Sequence, residues 1–179
     1  MSVRDILLFP DRRLRMKARE VGEFSRELAE LAEDLLETMY AAPGIGLAAT
    51  QLGVMKRLFV MDCSQEDEAK NPRVLVNPRI VWASEEKQER EEGCLSLPGQ
   101  FAEVTRPATV VVGFQNLEGA DFEEQLDGLQ ARCAQHEIDH LDGKLFIHRI
   151  SSLKRQIIAR KAKKALREAQ QNKSEVDKE

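Results

Sequence analysis

The sequence predicts an α+β fold: mixed, largely antiparallel strands around a central helix, with one helix near the N-terminus and a basic helix at the C-terminus. Three observations predict it. Residues 25–41 carry apolar side chains at three- and four-residue spacing, short β-branched runs fill residues 57–126, and helical patterning returns after residue 127. Helices and strands are therefore segregated rather than alternating as in βαβ repeats.

The first helix is expected from Ser25 to Ala41. Leu28, Leu31, Leu35, Leu36, Met39 and Tyr40 make one apolar face. Ser25 suits the N-cap, Glu27 and Glu30 lie near the positive helix end, and Pro43-Gly44 stop the helix. The runs at 57–63, 74–77, 80–83, 109–114 and 122–126 read as strands. Residues 116–119 suggest a hairpin turn between the last two. A second helix is expected from Asp127 to Leu141, with Asp127 and Gln130 resembling a capping box and Asp142-Gly143 as its stop. A third, from Ser152 to Gln171, is rich in Ala, Lys, Arg and Gln, with Asn172–Glu179 frayed beyond it.

At 179 residues, with 42% hydrophobic and 32% charged, the chain has the size and composition of one globular domain. An aromatic content of 5% argues against a base-stacking nucleic-acid platform and against sequence-specific nucleic-acid binding. No apolar run is long enough for a membrane span, and MSVRDILLFP lacks the form of a signal peptide. Three widely spaced cysteines, an odd count, fit a reducing cytoplasm better than a disulfide framework. The net charge of −4 is uneven: residues 151–179 hold nine basic and four acidic residues, +5, which leaves −9 on residues 1–150. The expected organisation is a single catalytic domain at 1–150 and a basic helix with a frayed tail at 151–179.

The sharpest chemical signal is His136-Glu137-Ile138-Asp139-His140, an H-E-x-x-H on a predicted helix. Residues i and i+4 sit one turn apart on one face, so both imidazoles can reach one metal ion. Glu137 lies about 100° round the helix, placed to act as a base on an activated water. The third ligand is open on spacing alone. The extended protease form would need a histidine at position 146, which is Phe146, and His148 misses it. Glu168 is the only downstream glutamate before the tail and sits among cations; Cys133 shares the helix and would crowd the ion. Cys94, in Glu92-Gly93-Cys94-Leu95-Ser96, could supply a thiolate that completes a Cys-His-His set and leaves a fourth position for water, although a single cysteine is more often a small buried hydrophobe. The segment at 44–51, with Gly44 and Gly46 for close backbone approach and the amide of Gln51, is a weaker signal and is not a phosphate-binding loop.

Taken together, GIGLAATQ at 44–51, EGCLS at 92–96 and QHEIDHLDG at 135–143 resemble the three motifs of the peptide deformylases in order and approximate spacing. Pro10-Asp11-Arg12-Arg13-Leu14 and Asn77-Pro78 add to the resemblance, which covers the chain to about Leu153. It implies hydrolysis of the N-formyl group of formylmethionine on nascent polypeptides, with release of formate. It implies that Cys94, His136 and His140 hold one divalent metal, that Glu137 is the general acid/base, and that Gln51 and the backbone N–H of Leu95 stabilise the oxyanion. Gly44, Ile45 and Gly46 would pair with the peptide backbone as an added strand. Leu129 and Cys133, which share one helical stripe with His136 and His140, would wall the methionine pocket. Arg90 and Arg132 stand where the family often has apolar pocket residues, so their stems are expected along the pocket with the charged heads in water. Glu92 and Arg106 match a family salt-bridge pair beside the site.

The resemblance also implies Fe(II) as the metal, with zinc, nickel and cobalt as alternatives. It implies ribosome contact near the tunnel exit through the basic C-terminal helix. Two other functions stay open at this point. One is an H-E-x-x-H zinc endopeptidase, disfavoured by the missing third histidine or glutamate. The other is a non-catalytic ribosome-binding protein, disfavoured by the reactive residues in all three motifs.

Overall fold

In the computed structural model, residues 2–65 and 68–176 are described. Three α-helices, α1 (Arg26–Ala41), α2 (Gly128–Leu141) and α3 (Ser152–Val176), accompany seven strands. The strands are β1 (Gly46–Ala48), β2 (Leu58–Met61), β3 (Arg73–Ala83), β4 (Lys87–Cys94), β5 (Leu97–Pro107), β6 (Thr109–Gln115) and β7 (Asp121–Asp127). One antiparallel sheet runs β1-β2-β3-β6-β7, and β4 and β5 form a separate antiparallel ribbon. This is the α+β fold that the segregated pattern predicts, with α2 lying against β1, β2 and β7.

β2 shows why α2 is central. All four of its residues are buried, because both faces of the strand are covered. Phe59 and Met61 join the core shared with Ala134, Ile138 and Leu141 of α2. Leu58 and Val60 join Leu28, Leu31, Leu35 and Met39 of α1. The α1 stripe is thus the one its spacing predicts, and full burial of each such side chain stabilises the fold by roughly 1.5–3 kcal/mol. A third core sits where the 3-10 turn Phe146–Arg149 and Ile158 and Ala162 of α3 meet Val104 of β5 and Leu14.

Ser25 and Asp127 occupy the N-cap positions expected of them, but neither side chain makes a cap bond. The Ser25 carbonyl accepts from Leu28 and Ala29. The Asp127 carboxylate accepts from Thr109 Oγ1 at 2.6 Å instead of closing a capping box with Gln130. The strand across a register competes successfully for a side chain that local sequence assigns to the helix. Gly143, at φ +71°, does end α2. The runs at 74–77 and 80–83 are one strand with a bulge, where Asn77 adopts φ +50°. Its amide is held by Val21 and Gln115, which fixes the kink. The helical reading at 152–171 extends to Val176; part of the tail read as frayed, residues 177–179, lies outside the described residues.

The β4–β5 ribbon has no counterpart in the sequence reading. Lys87–Cys94 reads KQEREEGC, with one buried residue, Glu92. A strand of charged residues whose one buried side chain is a glutamate has no apolar alternation to read. Among the described residues, no helix is long and apolar enough to cross a membrane.

Candidate metal centre and cleft

Three elements bring the site together. α2 supplies His136, Glu137 and His140, the end of β4 supplies Glu92 and Cys94, and the 3-10 turn Ala49–Leu52 supplies Gln51. His140 Nε2 lies 3.2 Å from Cys94 Sγ and 3.2 Å from His136 Nε2. All three donor atoms lie within 4.8 Å of one another. Metal–nitrogen bonds of about 2.1 Å in a tetrahedron separate donors by roughly 3.4 Å, so this set has the span of three ligands of one ion.

The surroundings fit a cation. Burial opposes a charge on His136, but Cys94, Glu92 and Glu137 outweigh it and hold His136 well above the ordinary imidazole value. Burial and the neighbouring His136 hold His140 well below it. Negative groups therefore converge on a place where two imidazoles point their Nε2 atoms. Glu137 is 4% exposed, its Oε2 has no protein partner, and burial pushes its carboxyl up to about 7. A buried carboxylate oxygen without a donor needs a ligand or water. A Cβ on Gly46 would come within 2.5 Å of Glu137 Oε1, so glycine there lets β1 approach the carboxylate.

Around the ligands lies a charge network. Glu92 accepts from Arg106 Nε at 2.6 Å and Nη2 at 2.9 Å, and from Arg132 Nη1 at 2.6 Å. Burial pushes the Glu92 carboxyl up, but His136 and Arg106 outweigh it and bring it down to about 2. Arg106, only 2% exposed, also donates to Asp139 at 2.8 Å. Asp139 accepts twice more from Arg149, at 3.0 and 2.5 Å. The Glu92–Arg106 pair expected from the sequence forms.

The site opens into a cavity of about 540 Å³. Gly44, Ile45, Gly46, Gln51, Glu92, Cys94 and Leu95 line it from one side. Leu129, Arg132, Cys133, His136 and Glu137 line it from α2. Of the three candidate metal ligands, His140 does not line it; it is buried behind, 1% exposed. Gln51 Nε2 donates to Ser96 Oγ at 3.1 Å and sits 3.8 Å from Cys94 Sγ, while its Oε1 accepts from Ala48 N at 2.9 Å.

Two expectations change. Arg132 lines the cavity, but its head is not in water: it is bonded to Glu92 and to the carbonyls of Val104 and Gln88. Arg90 is exposed and does not line the cavity. The sequence reading also missed Phe101, which faces Gly93 across the β4–β5 register, lines the cavity and is 59% exposed. Only the β4–β5 pairing brings it there. His148 Nδ1 accepts from Leu145 N at 2.9 Å and caps its own turn, as its position beyond the motif suggests.

An H-E-x-x-H helix, a strand-borne cysteine beside it and a buried carboxylate facing a cleft define a metal-dependent hydrolase. The family model for polypeptide deformylase matches residues 3–156. The chain belongs to that family. The peptide deformylase of Phenylobacterium zucineum is 51% identical over 164 residues, covering 92% of this chain and 97% of the relative. That of Methylocella silvestris is 52% identical over 168 residues, covering 92% and 86%. The crystal structure of peptide deformylase from Ehrlichia chaffeensis superposes with a TM-score of 0.89 at 39% identity, covering 94% of this chain and 99% of that one. The same organism's enzyme in complex with actinonin gives 0.87 at 41%, covering 92% and 98%.

Proposed function

We propose that this chain removes the N-formyl group from formylmethionine at the head of nascent polypeptides and releases formate. The observation that carries the reading is Glu137: a buried carboxylate with an unpartnered oxygen, next to the Cys94, His136 and His140 donor set. In this reading those three residues hold one divalent ion. Such an ion polarises a carbonyl and lowers the pKa of water, which supplies a nucleophile near neutral pH.

The chain's own residues do the rest. Glu137 takes a proton at its carboxylate and delivers it to the departing amine nitrogen. Gln51 Nε2 and the backbone N–H of Leu95 donate to the oxyanion as the formyl carbon becomes tetrahedral; one such donor is typically worth ~3 kcal/mol. Gly44, Ile45 and Gly46 pair with the peptide as an added strand. Leu129 and Cys133 wall the methionine side chain, with the stem of Arg132 beside them. Glu92 holds the His136 ring.

One thiolate and two imidazoles suit iron, zinc, nickel or cobalt, and Fe(II) is the proposed ion. Metal analysis of anaerobically purified protein, set beside its activity, tests that choice. Residues 1–150 are the catalytic unit in this reading and 151–179 a basic appendage that meets the ribosome near the tunnel exit in the cytoplasm. The central test is formate release from formyl-Met-Ala-Ser. Formate without internal cleavage is expected; no formate from the protein loaded with iron, nickel, cobalt or zinc overturns the reading.

A further inference from the structure

Cys63 and Cys133 pack in one core beside the cleft, and deformylation makes no use of Cys63. Phe59 and Met61 of β2 face α2, and Cys63, next in that alternation, packs against the same core that contains Cys133. The N–H of Asp62, immediately before Cys63, donates to Ile45 O at 2.9 Å. The Cys133 thiol donates to that same oxygen at 3.5 Å. One carbonyl oxygen thus ties the chain entering Cys63 to the Cys133 sulfur.

The two thiols differ in access and in state. Cys63 is half-buried and lines a second hollow of about 240 Å³ beside Met61, Arg73 and Gln130. Cys133 is buried and lines the substrate cavity instead. The neighbouring Cys133 holds the Cys63 thiol below its ordinary value. The same partnership, together with burial, pushes the Cys133 thiol well up. A sulfur that a small oxidant can reach stands near a second thiol able to resolve it.

We propose that Cys63 and Cys133 are a modification site, oxidised by a hydroperoxide to a disulfide that alters the wall of the substrate cavity. The Cys63 sulfur attacks the hydroperoxide, the O–O bond breaks, and the thiol proton leaves on the departing oxygen as water or an alcohol. Cys63 becomes a sulfenic acid. The Cys133 sulfur then attacks the Cys63 sulfur, the S–O bond breaks, and hydroxide leaves as water with the Cys133 proton. Two thiols lose two electrons in all, and the hydroperoxide gains them. The disulfide has no S–H, so Ile45 O loses that donor. The Cys133 sulfur also turns away from its place beside Gly46, where an added Cβ would lie 2.8 Å from it.

The effect on turnover rests on the proposed deformylation; the bond itself does not. The test treats zinc-loaded protein, whose metal is not redox-active, with stoichiometric hydrogen peroxide, then alkylates and digests it without reductant. Mass spectrometry should find the Cys63 and Cys133 peptides joined with the loss of two hydrogens. The link should vanish with dithiothreitol and be absent from Cys63→Ser. Formyl-peptide turnover should fall on oxidation and recover with dithiothreitol in the wild type, while Cys63→Ser lacks that reversible loss. Both cysteines alkylated as free thiols, or a link through Cys94, overturns the proposal. A formed bond with unchanged turnover overturns its effect on the cavity. If the reduced protein releases no formate, the functional reading fails while the peptide map still decides the bond.

Discussion

His136 turns its Nδ1 to Glu92 Oε2 at 3.1 Å and its Nε2 to His140 Nε2 at 3.2 Å. An ionised carboxylate only accepts, so Nδ1 carries a hydrogen toward it; in the neutral ring that a metal ion requires, Nε2 is then the nitrogen left with a lone pair. Glu92 is itself fixed by Arg106 and Arg132. The ring orientation of one proposed ligand is therefore set by a carboxylate that strand β4 carries and two arginines hold.

Glu92→Gln should weaken metal binding roughly 10–100-fold, the range for lost partners of metal-bound histidines. Competition with a chelator reads this directly. An unchanged affinity would show that Glu92 does not orient His136.

Glu137→Gln keeps the shape of the side chain and removes its ability to carry a proton. Metal content should stay at the wild-type level while kcat falls by roughly 10²–10⁴. Formate release by the metal-loaded variant at near wild-type rate would sink the proposed proton carrier.

Gln51→Ala removes the Nε2 that lies 3.8 Å from Cys94 Sγ. As a lost oxyanion donor it should lower kcat about 10²–10³-fold with little change in KM. Because Gln51 also bonds Ser96 and Ala48, a thermal melt should accompany the kinetics. A fall in KM-normalised rate that tracks lost stability alone would assign Gln51 to structure.

The helical part of this site was legible because its information is local. The spacing of His136 and His140 places both on one face of α2 without knowledge of any neighbour. Cys94 was visible as a candidate only, since its meeting with α2 depends on where β4 ends. The head of Arg132 was misplaced for a related reason: its partners Gln88, Glu92 and Val104 belong to the β4–β5 ribbon, whose charged strand carries no period. Asp127 keeps the N-cap position of α2, but Thr109 of β6 takes the side chain that local sequence assigns to the helix. Long-range pairing, not propensity, decides each of these.

The Tyr40–Asp62 pair gives a pH signature away from the metal. Tyr40 donates to Asp62 Oδ2 at 2.5 Å, tying the end of α1 to the chain after β2. Burial raises the Asp62 pKa, but hydrogen bonds from Ser64, Tyr40 and Asn71 outweigh it and leave it below 3.8. A depressed folded pKa stabilises above the unfolded value and is lost as pH falls through the folded one. Urea midpoints of wild type and Asp62→Asn should thus differ by a constant amount above about pH 5 and converge in acid. Burial and Asp62 push Tyr40 up to about 12, so its contribution is present below pH 10 and lost as pH rises toward 12. A wild-type advantage that persists undiminished in strong acid would remove the Asp62 account.

The basic helix offers a test that separates charge from packing. Cutting the chain after Leu153 would strip Ile158 and Ala162, 8% and 7% exposed, from the core they share with Phe146 and Val104. Loss of ribosome contact in that variant would be confounded by loss of fold. Arg160, Lys161, Lys163, Lys164 and Arg167 are exposed, and among the described ion pairs only Lys164 is paired, with Glu168 at 3.7 Å. Replacing Arg160, Lys163 and Arg167 by Gln keeps a good helix former at each position. It should leave the melting temperature and hydrolysis of short formyl-peptides unchanged. Binding to phosphate-rich RNA depends on the number of cations engaged, so co-sedimentation with ribosomes should weaken and its salt dependence become shallower. Equal sedimentation of the two proteins at moderate salt would exclude this face of α3 as the docking surface.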